Sequence, residues 1–140
     1  FYNEVEDFLQ KNNKRYIAVH WRRKDFVHVR KGAPNVLKTP DELISKCKEK
    51  MIELGINSVY LATDSQDAEE LTYLKSKLPL FDFKTENENL INNASSYAII
   101  ESLICSYADY FMGTNTSLYT ENILAERIEL GKEKITQEYL

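Results

Sequence analysis

The chain is poor in the residues that build phosphate loops and metal cages. Its 140 residues include 4 glycines, 3 prolines, 2 cysteines and 2 histidines. No segment has the glycine spacing of a Walker A loop or of a dinucleotide fingerprint, which argues against a nucleotide hydrolase or a dehydrogenase. Cys47 and Cys105 show no metal-ligand spacing and read as two small buried hydrophobes; spacing does not decide whether they pair. No cluster of ligating side chains marks a metal site. There is no apolar run of roughly 18 residues, hence no transmembrane helix. Positive charge is not in excess either: 22 acidic residues outnumber 18 basic ones, for a formal net charge of −4. That argues against non-specific nucleic-acid binding, and any anion site must be a local cluster. Internal repeats and low-complexity tracts are absent. So are an initiator Met and a signal peptide. The chain opens in "FYNEVEDFLQ", already patterned as a helix with Phe1, Val5, Phe8 and Leu9 on one side. It reads as a fragment of a longer protein, a single lobe over residues 1–140. Two sequons, at Asn93 and Asn115, matter only if the parent is secretory.

What is present is alternation. "RYIAVHW" carries Tyr16, Ile17, Ala18 and Val19 in a row and predicts a buried strand. "TPDELISKCKEKMIELG" predicts a helix with Thr39 as N-cap, Pro40 at its first position and Gly55 as C-cap. Its apolar face is Leu43, Ile44, Cys47, Met51 and Leu54. "SVYLAT" is a second strand. "SQDAEELTYLKSKLP" is a second helix of this kind, with Ser65 as its expected N-cap and Pro79 as its stop. "LFDFKT" is expected as a short third strand, and "ENENLINN" as a polar loop. "SSYAIIESLICSYADYF" has a helical stripe of Ile100, Leu103, Ile104, Tyr107 and Ala108. "YFMGT" is expected as the last strand and "SLYTENILAERIELG" as a closing helix. This order predicts an α/β fold: a Rossmann-like, mostly parallel sheet with helices on both faces. Ligands in such sheets sit beyond the carboxyl ends of the strands. His20 to Asp25, Thr63 with Asp64, and Gly113 to Ser117 should therefore share one crevice.

Each cluster has two readings. In "HWRRKDF", Arg22 and Arg23 offer planar forks of donors suited to a diphosphate. An Arg–Asp clamp of the loop, for example Arg23 with Asp25, accounts for the same charge. In "GTNTS", Gly113 allows a tight turn, and Thr116 and Ser117 precede a helix whose N-terminus can hold an anion or simply be capped. Asp64 in "ATDS" suits a sugar or metal contact, or a helix cap. Glu101 interrupts an apolar stripe on its helix. Tyr119 suits stacking on a base or packing. His28 decorates a loop.

The combination is more specific than its parts. "YIAVHWRRKDF", "VYLATDS" and "YAIIESLICSYADYFMGTNTSLYTENILAER", in this order, resemble the carboxyl-terminal half of the GDP-fucose protein O-fucosyltransferases. The type-2 enzymes, which modify thrombospondin type 1 repeats, look most similar. Their His-x-Arg-Arg-x-Asp-Phe motif is matched by His20, Arg22, Arg23, Asp25 and Phe26, and the likeness runs over residues 15 to 131. It implies the second, nucleotide-sugar-binding lobe of a GT-B glycosyltransferase. Arg22 would contact the diphosphate and assist departure of GDP, and Arg23 would support it. Glu101 falls where the family has an Asp that recognises guanine. Ser117 aligns with a phosphate-contacting Ser and Tyr119 with an aromatic near the base. His20, Asp64 and Thr116 complete the expected donor-binding set, with Asp25 and Gly113 structural. Two departures stand out. Glu101 lengthens the guanine-reading arm, and Leu118 replaces a Thr and so removes a phosphate hydroxyl.

The resemblance further implies GDP-fucose as donor, no metal or other cofactor, and a protein acceptor such as a thrombospondin type 1 repeat. It places the parent in the endoplasmic reticulum lumen and its catalytic base in an amino-terminal lobe outside this chain. Asn115, beside the expected phosphate site, should carry no glycan. An α1,6-type fucosyltransferase acting on glycans, and a non-catalytic binding module of the same fold, remain the alternatives.

Overall fold

The structure is a computed structural model and describes residues 2–12, 14–23, 39–84, 92–115 and 117–140. Its elements run α1 (Tyr2–Asn12), β1 (Ile17–Trp21), α2 (Pro40–Leu54), β2 (Val59–Thr63), α3 (Ala68–Lys77), α4 (Ala94–Tyr107), β3 (Tyr110–Gly113) and α5 (Leu118–Glu129). A 3₁₀ turn (Lys134–Thr136) and a short strand β4 (Gln137–Tyr139) follow. The four strands are parallel, in the order β2-β1-β3-β4.

Strand β1 is buried at all five positions, which is why its sequence is apolar on both faces. Tyr16 and Ala18 face one core with Val5 of α1, Ile100 and Ile104 of α4 and Ile123 of α5. Ile17, Val19 and Trp21 face a second core with Leu43 and Cys47 of α2 and Leu74 of α3. Cys47 and Cys105 belong to these two cores on opposite sides of the sheet, and both are free thiols. Helix α2 starts and stops as its sequence dictates. Thr39 accepts the Glu42 N–H and Glu42 reaches back to the Thr39 N–H, while Gly55 closes the helix at φ 67°. Such a cap contributes about 1 kcal/mol.

Three expectations need correction. "LFDFKT" is not a strand in the described residues: Leu80 makes one isolated parallel bridge to Val59, and the ladder goes no further through residue 84. Pro79 just before it gives up its carbonyl to Val59 N–H but has no N–H of its own to pair. "YFMGT" is not the last strand, because residues 137–139 add β4 alongside β3. Ser65 does not cap α3. Asp67 does, accepting the Glu70 N–H at 3.1 Å, and Ser65 donates instead to Glu70 Oε2 at 2.7 Å.

Strand β1 has β2 on one side and β3 on the other. The helix leading from β1 to β2 packs on one face and the helix leading into β3 packs on the other. The order in which strands are added therefore reverses between β1 and β3, which opens a crevice beyond their carboxyl ends. His20 and Gly113 pair across that junction.

Candidate functional site

All the described clusters meet at this end of the sheet. Thr114, just past β3, donates its hydroxyl to the His20 carbonyl and accepts the Arg22 N–H, both at 2.9 Å. Asp64, just past β2, accepts the Arg23 N–H at 2.7 Å, and its other carboxylate oxygen lies 3.2 Å from Arg22 Nε. Thr63 donates to the Trp21 carbonyl at 2.6 Å. Three separate strand ends are thus stitched into one rigid rim. Asp64 is placed to orient Arg22, whose side chain keeps 32% of its surface exposed.

The two arginines diverge. Arg23 lays its guanidinium on the Trp21 ring, 4.6 Å from the centroid, and pairs with Glu70 at 2.7 Å. Its side chain braces the rim against α3. The Arg22 side chain stays at the rim beside Asp64, partly exposed. Asp25 and Thr116 lie outside the described residues, as do His28 and Phe26.

Helix α5 starts at the same rim. Ser117 is its N-cap and accepts the Thr120 N–H. Among the described residues this leaves the N–H groups of Leu118 and Tyr119 as orphan donors of the first turn, the kind of end that favours an anion. Leu118 itself is exposed. Gly113 is required for space, not for a turn: it has no left-handed φ, and a Cβ there would sit 2.4 Å from Thr120 Cγ2. Tyr119 packs its ring 4.6 Å from that of His20 and donates its hydroxyl to the Ala98 carbonyl at 2.6 Å. Its hydroxyl is thereby committed to α4.

Glu101 projects from α4 into a cleft of about 530 Å³ along the outer edge of β2. Leu61, Thr63, Ser65, Lys75 and Tyr97 also line it. The stretch 63–65 therefore touches the cleft on one side and the Arg22–Asp64 pair on the other. Burial pushes the Glu101 carboxyl up to about 7, opposed by the hydrogen bond that Tyr60 donates to it at 3.0 Å. A half-buried carboxyl in a slot of mixed polar and apolar walls is suited to a planar ligand carrying adjacent N–H groups.

Sequence reasoning missed Thr120, Glu70 and Arg127. Thr120 and Arg127 lie on one face of α5 with Ile123, at helical spacing, and all three are fully or almost fully buried. That spacing was the available signal. Arg127 works at the opposite end of the sheet. It donates to the carbonyls of Cys105, Ser106 and Ala108 at 3.1, 3.2 and 2.8 Å, closing the end of α4, and to Thr136 and Gln137.

The fold matches that of known fucosyltransferases. A POFUT1 structure in complex with GDP-fucose superimposes with a TM-score of 0.70 at 18% identity, covering 99% of this chain and 45% of that one. The NodZ α-1,6-fucosyltransferase gives 0.55 at 15% identity, covering 87% of this chain and 40% of that one. These likenesses establish the Rossmann-like, GT-B type of lobe. In sequence, the GDP-fucose protein O-fucosyltransferase family matches residues 2–130. GDP-fucose protein O-fucosyltransferase 2 of Caenorhabditis elegans is 33% identical over 137 residues, covering 91% of this chain and 31% of the worm protein. The Homo sapiens protein of the same name is 32% identical, covering 86% of this chain and 28% of its own length. The chain belongs to the GDP-fucose protein O-fucosyltransferase family. It spans about a third of the length of these relatives. No described helix is long and apolar enough to cross a membrane.

Proposed function

We propose that this chain is the donor-binding lobe, residues 1–140, of an inverting protein O-fucosyltransferase that moves fucose from GDP-fucose to Ser or Thr of a folded repeat. The observation that carries the reading is the junction of Arg22, Asp64, Thr114 and the start of α5 at the switch point of a parallel sheet. Breaking the sugar–phosphate bond leaves negative charge on GDP. Arg22 and the α5 N-terminus stabilise that charge as it develops. Ser117 stands at the same helix end, Thr116 precedes it in sequence, and Asp64 orients Arg22 while Arg23 braces the rim. Glu101 accepts the N–H edge of guanine in the cleft beside β2, with Tyr119 at its flank. The scheme uses no metal. The base that takes the acceptor proton belongs to the other lobe. The worm and human relatives are both named GDP-fucose protein O-fucosyltransferase 2, which supports a protein acceptor. The sequence resemblance to the type-2 enzymes points to a thrombospondin type 1 repeat as that acceptor and to the endoplasmic reticulum lumen as the compartment.

Two measurements test this. Calorimetry on the chain should show GDP binding without ADP binding, and Glu101→Ala should erode that selectivity. Transfer assays on the full-length parent should show fucose moving to a folded repeat and not to a free glycan. Equal binding of GDP and ADP would sink the base assignment. Transfer to the glycan alone would sink the acceptor assignment.

A further inference from the structure

A short side-chain contact at the rim joins His20 and Thr120. His20 Nδ1 lies 2.6 Å from Thr120 Oγ1, and Thr114 N–H donates to that same oxygen at 3.1 Å. Thr120 is fully buried. Its oxygen has no other hydrogen-bond partner among the described residues. A threonine hydroxyl carries one proton and two lone pairs. One lone pair is taken by Thr114 N–H, so among the described residues the hydroxyl proton has one acceptor within reach, the lone pair of His20 Nδ1. The alternative, Nδ1–H donating to the hydroxyl, would strand a buried hydroxyl proton with nothing to receive it.

The imidazole proton must then sit on Nε2. That nitrogen makes no hydrogen bond to the described residues, yet it is not sealed from solvent. His20 is the last residue but one of β1, paired with Gly113 across the crevice, two residues before Arg22. Its ring is clamped against Tyr119. The charged groups that face it are Arg22 and Asp64. Burial, and then Arg22, push its pKa down to about 4, against a smaller opposing pull from Asp64, so the ring is neutral at physiological pH.

We propose that Thr120 is a positioning residue for His20: it fixes the imidazole as the Nε2–H tautomer, so that His20 offers a neutral hydrogen-bond donor, and not a base, to an oxygen of the donor diphosphate. This rests on the donor-site reading above. A neutral donor beside Arg22 adds a directed hydrogen bond without adding charge. It also removes His20 from the candidates for the base: Nε2 already holds its proton, and Nδ1 is spent on Thr120.

Nitrogen-15 NMR of the histidine rings decides the matter. The chain has two histidines, so His28→Gln leaves His20 as the sole signal. The expected spectrum shows a proton on Nε2, an unprotonated Nδ1 and no titration between about pH 5.5 and 8. Thr120→Val should move the Nδ1 resonance, because that nitrogen loses its donor, and Thr120→Ser should restore it. In the full-length enzyme Thr120→Val should lower kcat about tenfold, with Thr120→Ser recovering most of it. An Nδ1–H tautomer or an imidazolium in the unsubstituted ring would overturn the proposal. So would an unchanged Nδ1 resonance in a folded Thr120→Val chain. If Thr120→Val does not fold, the unsubstituted spectrum and Thr120→Ser still decide. Saturating GDP should shift the Nε2–H signal; GDP binding without that shift removes the diphosphate contact. If GDP does not bind at all while the tautomer holds, the donor-site reading falls and the Thr120–His20 assignment stands.

Discussion

Arg22 and Arg127 stand at opposite ends of the same sheet and show what a fold does with one side chain in two settings. Arg127 is fully buried, and every nitrogen of its guanidinium donates to a carbonyl, hydroxyl or amide oxygen of the protein. It acts as an internal cap for α4, taking the place of water at the carbonyls that a helix end leaves open. Arg22 sits where two strands part, partly exposed, with Asp64 on its Nε side. The protein surrounds one arginine entirely with its own oxygens and keeps the other partly exposed at the rim. On the proposed reading, that contrast separates a stabilising arginine from a ligand-binding one.

The contrast is most easily broken at Arg127. Arg127→Ala strands several buried carbonyls and opens a cavity, and it should destabilise the chain by about 3–5 kcal/mol. Its denaturation midpoint should fall while the folded fraction still binds GDP. Gly113→Ala should come next, at about 1–3 kcal/mol, because its Cβ collides with the Thr120 side chain. That clash also disturbs the rim, so GDP affinity should fall with stability.

Glu101 sharpens the comparison through pH. Its folded pKa, about 7, is above the ordinary carboxylate value of 4.5, with burial as the main cause. The folded chain therefore binds the extra proton, and the stability this contributes is full below the unfolded pKa and is lost as pH rises through about 7. Glu101→Gln should flatten that loss, and urea midpoints at pH 5 and pH 8 will show it. On the proposed reading guanine binds the carboxylate form, so GDP affinity should run the other way, rising roughly tenfold from pH 6 to pH 8. Proton release on binding, read by calorimetry in two buffers, checks the sign.

Much of this was legible in the sequence because local rules and global pattern agreed. The apolar run at Ile17–Val19, the Thr39 cap, Gly55 and the strand–helix alternation carry their own explanations. The gathering of His20, Arg22, Asp64 and Gly113 followed from the carboxyl-end rule for parallel sheets. What failed was non-local. Residues 137–139 look like a tail, and only the open edge of β3 makes them a strand. Ser65 and Asp67 are both competent caps, and the choice between them depends on Glu70, which binds Ser65 and Arg23 together. Gly113 suggested a turn because glycine usually does, whereas its reason is a helix packed against it. Arg127 and Thr120 carry no motif. Their roles appear only when α5 is laid against β1 and α4.

The central claim is that Arg22 is a diphosphate clamp, and one measurement addresses it directly. Binding of GDP and of guanosine should be compared on the unsubstituted chain and on Arg22→Ala, with folding checked by the denaturation midpoint. Arg22→Ala should weaken GDP by tenfold or more, about 1.4 kcal/mol, and leave guanosine unchanged. Unaltered GDP affinity, or an equal loss for guanosine, would contradict it and make Arg22 a structural residue like Arg127.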